Sequence, residues 1–184
     1  MARRAAVIKQ AREKDAQALV LDAGDALLND RSPAKATKGS SSIEAMNLLH
    51  YEAMTLGSMD IAKLTLEELQ ARIQQAHFAV MSAKTFLSGT DRLLTNPYTV
   101  VDVRGRNVVI LGLTDPISTT EIVVTDPLAA AEKWVPEIRS KADIIVLLSH
   151  AGLEANKEIA DRVQGVDIIV GGGPEKNDRP YFGA

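Results

Sequence analysis

A run of five apolar residues, Ile144 to Leu148, ends in Ser149 and His150. An uninterrupted apolar run of this kind reads as a strand buried on both faces, which requires a sheet covered on each side. A second run, "VDIIVGGG", follows the amphipathic stretch "LEANKEIADRV", and a helical pattern from about Pro127 to Ser140 precedes the first. Strands alternating with amphipathic helices of about 10 to 15 residues predict βα units and a largely parallel sheet. Ligands in such sheets collect beyond the carboxyl ends of the strands, which makes His150 a candidate site residue. The plainer alternative for His150 is a hydrogen bond to a neighbouring loop.

The first half of the chain carries the same alternation less regularly. "ARRAAVIKQAREKDA" places Ala5, Ile8 and Ala11 on one side of a short helix. "ALVLDAGD" predicts a buried strand that runs into Asp22, Gly24 and Asp25. From Ala26 to Ser42 the residues turn polar and small, which predicts a long surface loop and then a serine N-cap for the helix "SIEAMNLLHYE". "AMTLGSMD" predicts a short strand broken at Gly57, and "FAVMSAK" another. Between them, Thr65 and Glu68 form a capping-box pattern ahead of "LEELQARIQQAH". "YTVVDVRGRNVVILGLTD" reads as two strands joined by an Arg-Gly turn, hence an antiparallel hairpin. The tail "PEKNDRPYFGA" has no periodic signal and predicts an exposed end.

At 184 residues the expectation is one domain spanning 1–184. A net charge of -3 gives no electrostatic footprint for nucleic acid. The absence of cysteine excludes disulfides, thiolate ligands and a cysteine nucleophile. No apolar run reaches the roughly 20 residues that span a bilayer, and the first residues lack a signal-peptide core, so the sequence as given predicts a cytoplasmic protein without membrane contact.

Several strand ends carry polar or glycine-rich turns: "LDAGD" at Asp25, "TLGSMD" at Asp60, "LLSH" at His150 and "IVGGGPE" at Glu175. Carboxylate and imidazole groups converging on one rim suit divalent ions such as manganese, zinc or iron. For Asp25 and Asp60 the competing reading is a cap of the following helix or turn. Asp22, Asp30, Asp115 and Asp126 read as turn residues, His50 and His77 as structural or solvent-facing, and Trp134 as core.

Four blocks, "RRAAVIKQAREKDAQALVLDAGD", "IEAMNLLHYEAMTLGSMD", "NPYTVVDVRGRNVVILGLTD" and "ADIIVLLSHAGLEANKEIADRVQGVDIIVGG", occur in an order that resembles the amino-terminal domain of the 5'-nucleotidase branch of the calcineurin-like metallophosphoesterases. The resemblance implies an α/β fold of four layers, αββα, with two mixed sheets face to face and two metal ions in the loops after the strands. It implies that Asp25 matches the aspartate that bridges both metals and that His150 matches the metal-binding histidine at its strand end.

Departures from the family pattern fall at three motifs. The family's first strand, with an Asp-x-His pair, precedes the helix at which this sequence starts, so the expectation is a sheet lacking that strand. Its open edge would then be covered by a second copy or a partner chain. Where the family has Gly-Asn-His-Glu or Gly-Asn-His-Asp, this sequence has "GSMD", which leaves Ser58 as a poor substitute ligand and Met59 without a proton to give. Where it has Gly-His-x-His, this sequence has "GGPE", with Glu175 as a doubtful substitute. The expectation is a single domain without the nucleoside-binding carboxyl-terminal domain of full-length 5'-nucleotidases.

Asp25 and His150 therefore stand as the firm metal ligands, with Ser58 and Glu175 doubtful, against the roughly three protein groups a catalytic metal needs. The function expected is a phosphatase fold with a degenerate metal site, a weakly held or absent divalent metal, little or no phosphoester hydrolysis, and a binding or regulatory role toward a phosphomonoester or nucleotide. The alternative is an active metal-dependent phosphoesterase with a reduced site.

Overall fold

A computed structural model describes residues 2–28, 33–173 and 180–183. Its elements run α1 (Ala2–Lys14), β1 (Leu21–Asp22), α2 (Ser40–Leu48), β2 (Ala53–Thr55), α3 (Ser58–Lys63), α4 (Leu66–Gln75), β3 (Ala79–Met81), β4 (Thr85–Leu87), β5 (Tyr98–Val103) and β6 (Arg106–Thr114). They continue with β7 (Ile117–Ser118), β8 (Ile122–Val124), α5 (Pro127–Arg139), β9 (Ile144–His150), α6 (Leu153–Arg162) and β10 (Ile168–Gly171).

Alternation along the central strands generates the layers. In β9, Ile145 and Leu147 point to one core with Val135 and Ile138 of α5 and Ile159 of α6. Val146 and Leu148 point the other way, to a second core with Val108 and Ile110 of β6 and with Ala53 and Met81 of the facing sheet. That sheet sends Met54 and Leu56 outward to Ile43 and Met46 of α2 and Leu69 of α4. The order through the molecule is therefore helices, the parallel sheet β1-β2-β3, the mixed sheet β10-β9-β6-β5, and helices again. The uninterrupted apolar run in β9 follows from this position, since neither of its faces meets water.

The predicted hairpin is β5–β6, antiparallel from Tyr98↔Leu111 to Val103↔Arg106. Its turn holds Arg104 and Gly105 at φ of 56° and 74°, the double left-handed geometry of a two-residue hairpin loop. The capping box of α4 forms, with the Glu68 N–H donating to Thr65 Oγ1 at 3.2 Å and the Thr65 N–H to Glu68 Oε2 at 3.1 Å. Asp126 caps α5 through the Leu128 N–H at 3.0 Å.

Several local expectations are corrected. Ser40 to Ser42 form the first turn of α2 and do not precede it, because the Ser42 hydroxyl is drawn inward to donate to the Leu27 carbonyl at 2.9 Å. Helix α2 stops at Leu48, short of "HYE", where His50 turns left-handed at φ 51° and the Tyr51 N–H reaches back to the Met46 carbonyl at 3.2 Å. Residues 29–32 of the expected surface loop lie outside the described residues, and within the rest Leu27 and Ala34 are buried. Helix α3 and the small antiparallel sheet β4-β8-β7 were not foreseen. Helix α1 forms, yet none of its residues is fully buried; Arg12 fastens it by donating to the Leu49 and His50 carbonyls, each at 2.7 Å.

The parallel strands bring their carboxyl ends to one rim. Three polar links between the two sheets hold that rim together. Thr55 Oγ1 donates to the Leu113 carbonyl at 3.1 Å, Thr114 Oγ1 donates to the Leu56 carbonyl at 2.7 Å, and the Ser82 and Thr114 hydroxyls meet at 2.7 Å. No helix among the described residues is long and apolar enough to cross a membrane.

Candidate metal centre

Asp25 and His150 meet on this rim from opposite sheets. Asp25 follows β1 and His150 is the last residue of β9, and His150 Nε2 lies 3.0 Å from Asp25 Oδ2. The other ring nitrogen, Nδ1, is 2.7 Å from the Ala23 carbonyl. A carbonyl only accepts, so Nδ1 carries a hydrogen and Nε2 is the atom offered toward Asp25. The loop bond expected of His150 is thus present, and the other ring nitrogen faces Asp25. The pair holds a charged form. The Asp25 hydrogen bond raises the His150 pKa to about 9 against the opposing effect of partial burial. Burial pushes the Asp25 carboxyl up, but the hydrogen bond and charge of His150 and the Met59 N–H outweigh it and hold Asp25 below the usual carboxylate range.

The remaining contacts of Asp25 come from the turn after β2. Met59 donates its backbone N–H to Asp25 Oδ1 at 2.9 Å. Gly57 presses on the carboxylate so closely that a β-carbon there would stand 2.1 Å from Asp25 Oδ1. A β-carbon on Gly24, at φ 97°, would stand 2.8 Å from the His150 ring. Glycine is required at both positions, at Gly57 because two neighbouring turns of one sheet touch and at Gly24 because that sheet's turn meets the His150 ring of the other.

Asp60 has no exposure and does not face the pair. Its Oδ2 accepts the N–H groups of Asp25 at 3.0 Å and Gly57 at 3.1 Å, and its Oδ1 accepts that of Leu27 at 3.1 Å. Burial raises its pKa to about 7, with the backbone N–H groups pulling down and the charges of Asp25 and Asp22 pushing up. The capping reading of Asp60 is correct, although its reach exceeds α3. Sequence reasoning missed that reach, and the signal available was an acid three residues after Gly57, the N3 position of a helix. Asp22 ends β1, paired with Arg4 at 3.2 Å and accepting the Gly24 N–H at 3.2 Å. Its carboxyl is raised by burial. Ser58 opens α3 between Gly57 and Met59 and is half-buried. Glu175 lies outside the described residues, as does Asp30. Gly172 donates its N–H to the Ser149 carbonyl at 2.7 Å, and Asp115 donates its own to the His150 carbonyl at 3.1 Å. His50 and His77 are exposed. Trp134 is half-buried against the core between the second sheet and its helices.

The donor set can be weighed directly. Among the described residues no group of three or more histidine, aspartate or glutamate side chains is gathered to hold a metal ion. Asp25 and His150 supply one oxygen and one nitrogen to a shared point, and Asp60 is consumed by the backbone. These residues do not fit a pair of ions, and for a single ion they fall short of the three ligands of a catalytic site.

Sandwich, rim and paired aspartate and histidine together define a domain of the metallophosphoesterase class. The chain is 31% identical over 160 residues to the uncharacterised metallophosphoesterase YunD of Bacillus subtilis, covering 84% of this chain and 35% of that protein. It is 30% identical over 183 residues to the 5'-nucleotidase of Bos taurus, covering 94% of this chain and 32% of that protein. The crystal structure of the 5'-nucleotidase precursor of Thermus thermophilus superposes with a TM-score of 0.80 at 34% identity, over 92% of this chain and 35% of that one. No protein-family model matches the sequence. Over nearly its whole length the chain is similar to metallophosphoesterases and 5'-nucleotidases, and it spans about a third of the length of the relatives it matches.

Proposed function

We propose that this domain is a binding or regulatory module on a phosphatase scaffold, with weak or no phosphoester hydrolysis. The carrying observation is the mutual satisfaction of Asp25 and His150 at 3.0 Å, with Asp60 turned onto three backbone N–H groups. The two residues best suited to hold a metal neutralise each other. An ion entering between them must displace the proton on His150 Nε2 and still finds, among the described residues, two side-chain donors. A phosphomonoester or nucleotide, the substrate class named in the relatives, is the ligand class this reading assigns to the rim. Purified protein kept in manganese, zinc or iron and then desalted is expected to carry well under one ion per chain by elemental analysis. It should hydrolyse nitrophenyl phosphate no faster than His150→Ala. Stoichiometric metal together with hydrolysis abolished in His150→Ala would overturn the proposal.

One observation favours a second reading, an active phosphoesterase with a reduced site. The Ala23 carbonyl fixes the hydrogen on Nδ1, and an outer hydrogen bond of this kind is how a metal-binding histidine is oriented. The same two measurements separate the readings.

A further inference from the structure

We propose that Asp60 is a positioning residue that sets the aim of Asp25. The inference rests on Asp25 and His150 being the working pair of the rim, and it concerns what holds that pair in place. An acid at the third position of a short helix needs only the N–H of the residue before the helix, and Asp60 has that bond from Gly57 at 3.1 Å. Its other two bonds go to a distant turn. They take the Asp25 N–H, 35 residues earlier, at 3.0 Å and the Leu27 N–H, 33 residues earlier, at 3.1 Å.

That turn has an uncommon backbone. Asp25 sits at φ 58°, a left-handed conformation that few residues other than glycine adopt, aspartate and asparagine more readily than most. Asp60 grips the N–H of Asp25 itself and the N–H two residues on, so the strained residue is held at both ends of its turn. With the backbone fixed, the side chain has one course. Its Oδ1 meets the Met59 N–H at 2.9 Å and its Oδ2 meets His150 Nε2 at 3.0 Å. Asp60 touches neither His150 nor the open rim and acts through Asp25. The ionised form of Asp60 is suited to this because both of its oxygens then only accept, and all three partners only donate. An asparagine of the same shape would turn one N–H2 group against these donors.

Nuclear magnetic resonance of ¹⁵N-labelled protein, without metal or substrate, tests the proposal. The imidazole nitrogen and ring-proton signals of His150 report its pairing with Asp25, and Asp25→Asn supplies the signature of the altered pair. Asp60→Asn is expected to move the His150 signals toward that signature. Ile159→Val, a mild core substitution in α6, should leave them in place, which separates positioning from general loss of stability. A folded Asp60→Asn protein with wild-type His150 signals would overturn the proposal. Amide exchange in the wild-type protein covers the case in which Asp60→Asn does not fold. The Asp25, Leu27 and Gly57 N–H groups should exchange as slowly as those in the middle of β9, and exchange at the rate of an exposed loop would equally overturn it. Neither readout depends on hydrolysis, so an active phosphoesterase would refute the binding-module reading and leave this test intact.

Discussion

At the residue scale the Asp25–His150 pair is asymmetric. The His150 side chain is 8% exposed and that of Asp25 28%, so the histidine is the buried member. His150→Ala removes a ring that Gly24 packs against, strips the Ala23 carbonyl of its partner and leaves a carboxylate with one bond fewer. Asp25→Asn keeps the shape and an oxygen for the Met59 N–H, and loses mainly charge. Urea denaturation should therefore show His150→Ala costing about 2–3 kcal/mol and Asp25→Asn about 1 kcal/mol. The reverse order would mean that the ring is not packed as described. His150 stood out in the sequence as a polar group ending an apolar run and Asp25 as an acid in the turn after one, both local signals, whereas a metal-binding role for the two was implied only by the family resemblance. The work of Asp60 was not legible, because two of its three donors lie 33 and 35 residues away and the bonds are made by backbone that any sequence would present.

At the element scale, the second sheet is tied to its helices by Arg139 and Asp167. Arg139 Nη1 donates to Asp167 Oδ2 at 2.8 Å and to the Gly165 carbonyl at 3.0 Å, and its Nη2 to the Ala142 carbonyl at 2.7 Å. The same Asp167 oxygen accepts the Ile145 N–H at 2.7 Å, so one carboxylate joins the end of α5 to the starts of β9 and β10. Burial alone would push Asp167 up, but the Ile145 N–H and the Arg139 guanidinium outweigh it and hold the carboxyl below its ordinary value. A depressed carboxyl stabilises the fold above its unfolded pKa, and that stability is lost as pH falls through the lower, folded value. Wild-type protein should lose more stability than Asp167→Asn over this acid range in pH-dependent thermal melts. The difference should be about 1 kcal/mol or less, because both side chains are partly solvated. Equal slopes would remove Asp167 from the account. Elements of this sheet were readable because they are long and regular, down to the Arg-Gly turn of β5–β6. The sheet β4-β8-β7 was not, since its strands are two or three residues long and β4 finds its partner only across the chain, at Thr85↔Val124.

At the scale of the whole molecule the two facing sheets are unequal among the described residues, three strands against four. Ile168 and Val170 of β10 are in register with Val146 and Leu148 of β9 and so stand on the face that forms the inter-sheet core. Their neighbours on β9 are buried, yet Ile168 is 49% and Val170 39% exposed. The inner core thus runs out to a half-exposed edge at β10, and β1, the last described strand of the facing sheet, approaches it near the rim at Ala23 and Gly172. Apolar side chains on an edge strand favour association with another chain. The four-layer plan could be read from alternation and block order, whereas this opening could not, because it depends on which strands of the two sheets face each other. Sedimentation velocity on the isolated chain is expected to show reversible, concentration-dependent association in the micromolar range. The double substitution Ile168→Lys and Val170→Lys should shift it to monomer while circular dichroism stays unchanged. Wild-type protein that sediments as a clean monomer across that range would show that β10 is covered within one molecule, and would sink the prediction.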